Sequence, residues 1–279
     1  MWMARSPVIV SLTLALLGSS ACRRLPRSFR PRVHRPVVAV KQLPPLTGSQ
    51  PLETLALGSF ESSLVAVPVG ARFARPVVVA LHGKSDSPQA ACRAWSAITD
   101  NSYFVLCPAL LSKASKPDGV SEACTQWECA ASELKEALIA LRKRFGNYIA
   151  PKEVMLAGHG RGAFLAVPLA QQNPSVFSIT WLVDGGMPYW SSAFSSTYVE
   201  RGGQLLAIAC TELACQPDAN RIIASAHAVG LRVADYQSTK GTGEFTPDLE
   251  NSLKATWATA RPKTWPWIVP NPTNATKSQ

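Results

Sequence analysis

The first fifty residues contain no aspartate or glutamate, although they hold eight of the 28 basic residues of this 279-residue chain. The rest has 20 Lys and Arg against 18 acids, so most of the formal charge of +10 belongs to the N-terminal segment and the remainder is close to neutral. Between Cys22 and Pro51 the only Phe, Tyr or Trp is Phe29. A basic stretch without interleaved aromatics lacks the stacking platform of a nucleic-acid binder, so nucleic acid is not an expected partner. Histidine is scarce too: His34, His82, His159 and His227 are scattered, and the cysteine spacings are not those of a zinc ribbon. No metal site and no cofactor are expected from such a set. Nor does any apolar run approach the roughly 20 residues that a membrane-spanning helix needs.

Residues 1–21 combine an Arg-bearing start, an apolar run from Pro7 to Leu17, and the small residues Gly18, Ser19, Ser20 and Ala21 ahead of Cys22. That is the pattern of a secretory signal peptide. It resembles a bacterial lipoprotein signal, with Ser19 standing where Leu is usual, and the resemblance implies a lipid anchor on Cys22 and an extracytoplasmic place in the cell envelope. Residues 22–51 follow, rich in Arg and carrying Pro26, Pro31, Pro36, Pro44, Pro45 and Pro51. Proline at that density blocks helices and sheet ladders, so this is expected to be an extended tether. Its positive charge suits an anionic membrane face. Setting Cys22 aside leaves Cys92, Cys107, Cys124, Cys129, Cys210 and Cys215, an even number that suits an oxidising compartment. Proximity favours pairing 124 with 129 and 210 with 215, leaving 92 with 107.

With 47% hydrophobic and 16% charged residues, the chain has enough apolar material for one large core, expected over residues 52–261 and followed by an irregular tail over 262–279. There Trp265 and Trp267 are expected to cover an apolar edge. Short β-rich runs occur at 63–69, 76–81, 103–107, 153–157, 179–183, 204–210 and 231–236, and helical patterns at 88–99, 130–145, 163–172, 218–229 and 247–260. In the helix at 130–145, Leu134, Leu138 and Leu141 share one face. Alternating strands and helices imply an α/β fold with a mostly parallel central sheet flanked by helices on both faces.

The chemistry is expected where the run Val154, Met155, Leu156, Ala157 leads through Gly158, His159, Gly160, Arg161 and Gly162 into a helix. This resembles the nucleophile elbow of the α/β-hydrolase superfamily, the esterase and depolymerase type, in which a G-x-S-x-G turn lifts a side chain above the sheet. The likeness extends over residues 54–260. Gly160 stands at the nucleophile position, and glycine has no atom with which to attack a carbonyl. The strand ending in Leu81, His82 and Gly83 resembles the loop that donates one backbone N–H to an oxyanion, and Arg161 would supply the second. Glu212, with Asp218 as a substitute, falls where the triad acid is carried. Gly241 to Phe245 resembles the loop of the catalytic histidine, with Glu244 in its place; an ordinary carboxyl titrates near 4.3 and does not replace imidazole near neutrality. The resemblance therefore implies an inactive hydrolase scaffold. His227, in a helix, and His34, in the tether, are not placed to act as the base.

Three readings follow. The first is a binding or structural protein. Its Gly-rich turn exposes N–H groups at the positive end of a helix, beside Lys84, Arg161, His82 and His159, outlining a pocket for a small carboxylate or phosphate. The second is a serine hydrolase with displaced groups drawn from Ser85, Asp86, Ser191 or Ser192. The third is a dinucleotide-binding protein, from Gly158, Gly160 and Ala163 with Asp184 after the next strand.

Overall fold

A computed structural model describes residues 41–48, 50–84, 86–109, 126–239, 241, 243–264 and 266–268. The signal peptide, Cys22, His34, most of the tether, Ser85, Cys124, Trp265 and the last residues of the tail lie outside the described residues. Everything below, counts included, concerns the described residues of the compact unit of residues 40–279.

Its centre is a sheet of eight strands in the order β1-β2-β4-β3-β5-β6-β7-β8. They are β1 Leu52–Leu55, β2 Ser63–Ala66, β3 Arg75–Leu81, β4 Phe104–Cys107, β5 Ile149–His159, β6 Phe177–Val183, β7 Leu205–Cys210 and β8 Arg232–Gln237. The first two pairings, β1 with β2 and β2 with β4, are antiparallel, and the remaining five are parallel. The central strands read as nearly unbroken apolar runs, RPVVVAL in β3 and FSITWLV in β6, with every residue buried. Such runs are required of parallel strands covered on both faces.

The period of two along a strand sorts those residues between two layers. Val77, Val79 and Leu81 join one core with Leu134, Leu141, Leu165 and Leu169 of helices α2 (Gln126–Phe145) and α3 (Arg161–Gln172). The same core holds Phe194 and Tyr198 of α4 (Ser192–Glu200) and Ile222 of α5 (Gln216–Ala228). Val78 and Ala80 face the other core, built on Trp95 of α1 (Pro88–Ile98) and Leu253 and Trp257 of α6 (Pro247–Ala260). Both expected helical faces and the α/β architecture are therefore present.

Differences from the sequence expectation have physical reasons. Strand β1 is a short edge strand whose LETL sequence buries only Leu55 fully, too little for a pattern to show. Helix α4 is rich in serine, a weak helix former; the Ser191 hydroxyl caps it by accepting from Phe194 N–H, and Trp190, Phe194 and Tyr198 pack together beneath it. The packed unit also starts before residue 52, since Leu43 and Leu46 are buried and Leu43 N–H donates to Arg72. At the other end Trp267 is buried against Tyr103 and Trp257, and the Tyr103 hydroxyl donates to the Trp267 carbonyl at 2.6 Å.

Disulfides join Cys92 to Cys107, tying α1 to β4, and Cys210 at the end of β7 to Cys215 in the turn that follows. Cys129 is disulfide-bonded as well.

One topological feature positions the site. Strand β3 has β4 on one side and β5 on the other, so the two connections that follow it diverge to opposite sides. In open α/β sheets such a reversal opens a crevice at the carboxyl ends of the strands. Here those ends carry Leu81, His82 and Gly83 on one side and His159 and Gly160 on the other.

Candidate functional site

The bend after β5 is tight because its glycines leave no room for anything else. A Cβ on Gly158 would lie 2.6 Å from the backbone of Ala163, and one on Gly162 would lie 2.1 Å from the Leu81 carbonyl oxygen. Gly160 differs: its Cβ would meet nothing nearer than Gly83 Cα at 3.9 Å, although its φ of 50° and ψ of −116° are strained for any other residue. The Gly160 N–H donates to the Val183 carbonyl at 2.8 Å, fixing the bend to the end of β6. The geometry of a nucleophile elbow is thus intact, with open space where the nucleophile would stand. Helix α3 starts immediately after it; the Ala163 and Phe164 N–H groups donate to the Gly160 carbonyl, which leaves those of Arg161 and Gly162 without an intrahelical acceptor.

The neighbouring loop meets this bend closely. His82 and His159 are both buried, at 8% and 5% exposure. His159 Nδ1 lies 2.6 Å from Asp86 Oδ2, so the ring is oriented by a carboxylate, while the Phe245 ring stands edge-on to it at 5.2 Å. His82 Nδ1 lies 2.9 Å from the Gly83 carbonyl, which makes this nitrogen the donor. Neither Nε2 has a hydrogen-bond partner among the described residues. Among those residues no hydroxyl or thiol bonds to an imidazole, so no Ser–His or Cys–His pair is assembled.

The Gly83 N–H, the first donor expected of an oxyanion loop, faces Asp86 Oδ2 at 3.4 Å. The chain's own carboxylate therefore stands before that donor. Outside it lies a cleft of about 370 Å³ lined by Glu61, His82, Lys84, Asp86, Gln89 and Arg161. Lys84 and Arg161 are exposed there.

The loops after β7 and β8 also come together. Gly243 leaves space that the Glu212 carboxylate occupies, since a Cβ on that glycine would lie 2.4 Å from Glu212 Oε1. The Gly241 N–H donates to the Thr211 carbonyl at 3.0 Å. Phe245 then carries the second loop to His159. Glu212 and Glu244, expected from the sequence at the acid and histidine positions, are both exposed carboxylates. Asp218 is engaged elsewhere, paired with Arg221 at 3.0 Å.

The remaining candidates have other work. Ser191 is the cap of α4, Ser192 is its first residue, and His227 is exposed on α5. Asp184 accepts from the Thr211 N–H at 2.6 Å and its hydroxyl at 2.8 Å, which ties β6 to β7 and leaves it poorly placed to hold a ribose.

One group escaped sequence reasoning. Glu133 of α2 is 2% exposed and accepts from the Ala109 N–H at 2.9 Å, beside Glu61 and Glu136. Burial, and secondarily those two acids, push its carboxyl up to about 7. The apolar spacing of the helix gives only a faint sign of this, a lone acid one position before Leu134.

No protein-family model matches the chain, and no curated protein matches it. Solved structures do. A Pyrococcus furiosus esterase is 12% identical with a TM-score of 0.52, covering 79% of this chain and 97% of its own. A dienelactone hydrolase-like promiscuous phosphotriesterase from metagenomic libraries is 13% identical with a TM-score of 0.51, covering 75% and 95%. The protein TT1662 of Thermus thermophilus is 14% identical with a TM-score of 0.51, covering 75% and 98%. At these identities the likeness is one of fold, and with the intact elbow and strand reversal it shows that this chain has the α/β-hydrolase fold.

Proposed function

We propose that the chain is an exported, envelope-located binding protein built on a hydrolase scaffold that does not catalyse hydrolysis. The observation that carries this reading is Gly160, a strained elbow position with room for a side chain and none present. Covalent acyl transfer needs an attacking atom activated by a base. At this elbow the attacking atom is missing, and Glu244 stands where the base is expected. The disulfides Cys92–Cys107 and Cys210–Cys215 are consistent with an oxidising compartment. The anchor on Cys22 and the basic tether belong to the same reading.

The ligand is a small carboxylate or phosphate in the cleft beside Lys84 and Arg161, held also by the first N–H groups of α3. To reach the Gly83 N–H as well, it would have to displace the Asp86 carboxylate.

The test is incubation of the purified protein with a serine-reactive fluorophosphonate and with short-chain nitrophenyl esters, alongside calorimetric titration of acetate and phosphate. No labelling, no hydrolysis above buffer and saturable anion binding are expected. Stoichiometric labelling of one serine would overturn the reading.

A further inference from the structure

Arg161 is shared by two concavities. It lines the polar cleft described above and also a groove of about 480 Å³ on the outer side of α3, with Trp127, Phe164, Pro168, Gln171 and Tyr189. Arg161, Phe164, Pro168 and Gln171 follow a spacing of three or four residues, so they form one stripe down the helix. At 1.5 Å per residue the stripe is roughly 15 Å long. Phe164 is 42% exposed and Tyr189 63%, and their rings meet edge to face at 5.5 Å. The stripe thus begins at a cation and continues over aromatic surface.

Arg161 is itself poorly accommodated by the fold. It is the first residue of α3, where a cation opposes the helix dipole, and its guanidinium makes no ion pair or hydrogen bond among the described residues. Lys84, across the cleft, is exposed and likewise has no acidic partner among them. An anion at the mouth would complement both cations, and an apolar tail continuing from it would cover Phe164 and Tyr189.

We infer that the ligand is an anionic amphiphile: an acid with a medium-length acyl chain, its head at Arg161 and Lys84 and its chain along Phe164, Pro168 and Tyr189. The inference rests on the chain being a binding protein, and it adds the apolar half of the ligand to the anion of that reading.

Calorimetric titration tests it with dodecanoate, dodecanol and acetate, each below its aggregation concentration, on the full mature chain and on Arg161→Gln and Phe164→Ser. Both residues are exposed, and circular dichroism checks that the variants fold. Saturable one-to-one binding of dodecanoate is expected, at least tenfold tighter than acetate or dodecanol. Arg161→Gln should weaken dodecanoate at least tenfold, and Phe164→Ser should do the same while leaving acetate unchanged. If acetate binds but dodecanoate binds no tighter, the amphiphile inference fails and the anion reading stands. If dodecanoate binds equally well to the wild type and Phe164→Ser, the groove is not its site. If no probe binds, both fail.

Discussion

Asp86 Oδ2 lies 2.6 Å from His159 Nδ1 and 3.4 Å from the Gly83 N–H, so one carboxylate oxygen joins the loop after β3 to the turn after β5. This is where the two strands flanking the reversal end, and where a reacting oxyanion would be received in an active relative of this fold. The pair makes the site rigid and partly filled.

Replacing Asp86 with Ala should therefore have two opposite effects. The buried His159 nitrogen and the Gly83 N–H lose their partner, at a cost of about 1–3 kcal/mol. Phosphate or acetate should bind more tightly, because the internal competitor is gone. Chemical denaturation and calorimetric titration of the same variant read both, and weaker anion binding in a folded Asp86→Ala protein would mean that the carboxylate does not compete for the site.

The disulfide between Cys92 and Cys107 closes a separation of 15 residues. A loop of that size corresponds to about 3 kcal/mol of stabilisation in the chain-entropy account. The Cys92→Ala, Cys107→Ala double variant should lose about that much against denaturant and show a lower Tm. The wild type measured after reduction should lose at least as much, since Cys210–Cys215 opens too. An unchanged Tm on verified reduction would show that these bridges do not stabilise the fold.

Glu133 gives a pH dependence whose sign follows from its environment. Its carboxyl is raised from 4.5 to about 7 in the folded protein, chiefly by burial and secondarily by Glu61 and Glu136. Below pH 4.5 both folded and unfolded chains carry the proton, and the full stability is present. As pH rises from 4.5 towards 7 the unfolded chain releases it first, so stability falls, by about 3 kcal/mol in all at 1.36 kcal/mol per pH unit. Glu133→Gln removes the titration but keeps an oxygen to accept from Ala109. It should match the wild type at pH 4.5 and exceed it by about 3 kcal/mol at pH 8, as read from denaturant midpoints. Parallel stability curves across that range would remove Glu133 as the source.

Much of this was legible in the sequence because the signals were backbone signals. The runs in β3 and β6 announce buried strands, and the glycines at 158, 160 and 162 announce a bend, since only a missing Cβ lets the Leu81 carbonyl approach residue 162. The disulfides joining Cys92 to Cys107 and Cys210 to Cys215 follow from even cysteine counting and proximity. What escaped were relations between distant residues. Nothing in the spacing of 86 and 159 says that they touch, and Glu133 looks like any acid on a helix until Ala109 and two carboxylates enclose it. The serine-rich α4 was hidden because its stability comes from Trp190 and Tyr198 packing under it rather than from helix propensity.

The elbow itself can be asked to work again. Gly160→Ser places a hydroxyl where a Cβ meets nothing closer than 3.9 Å, but at a φ of 50° that serine should cost about 1–3 kcal/mol. Alone it has no accessible base, because Glu244 is a carboxylate and the free Nε2 of His159 is buried, so the single variant should neither hydrolyse esters nor react with a fluorophosphonate faster than wild type. Adding Glu244→His puts an imidazole on the loop that abuts Glu212, restoring the residue types of a triad across the three loops. The double variant should label on Ser at position 160 and hydrolyse nitrophenyl acetate, measurably faster than either single variant, with mass spectrometry locating the adduct. Labelling that appears equally in Gly160→Ser alone would mean that a base is already present near the elbow. A folded double variant with no reaction at all would mean that the loops at 160 and 244 do not converge closely enough for proton transfer.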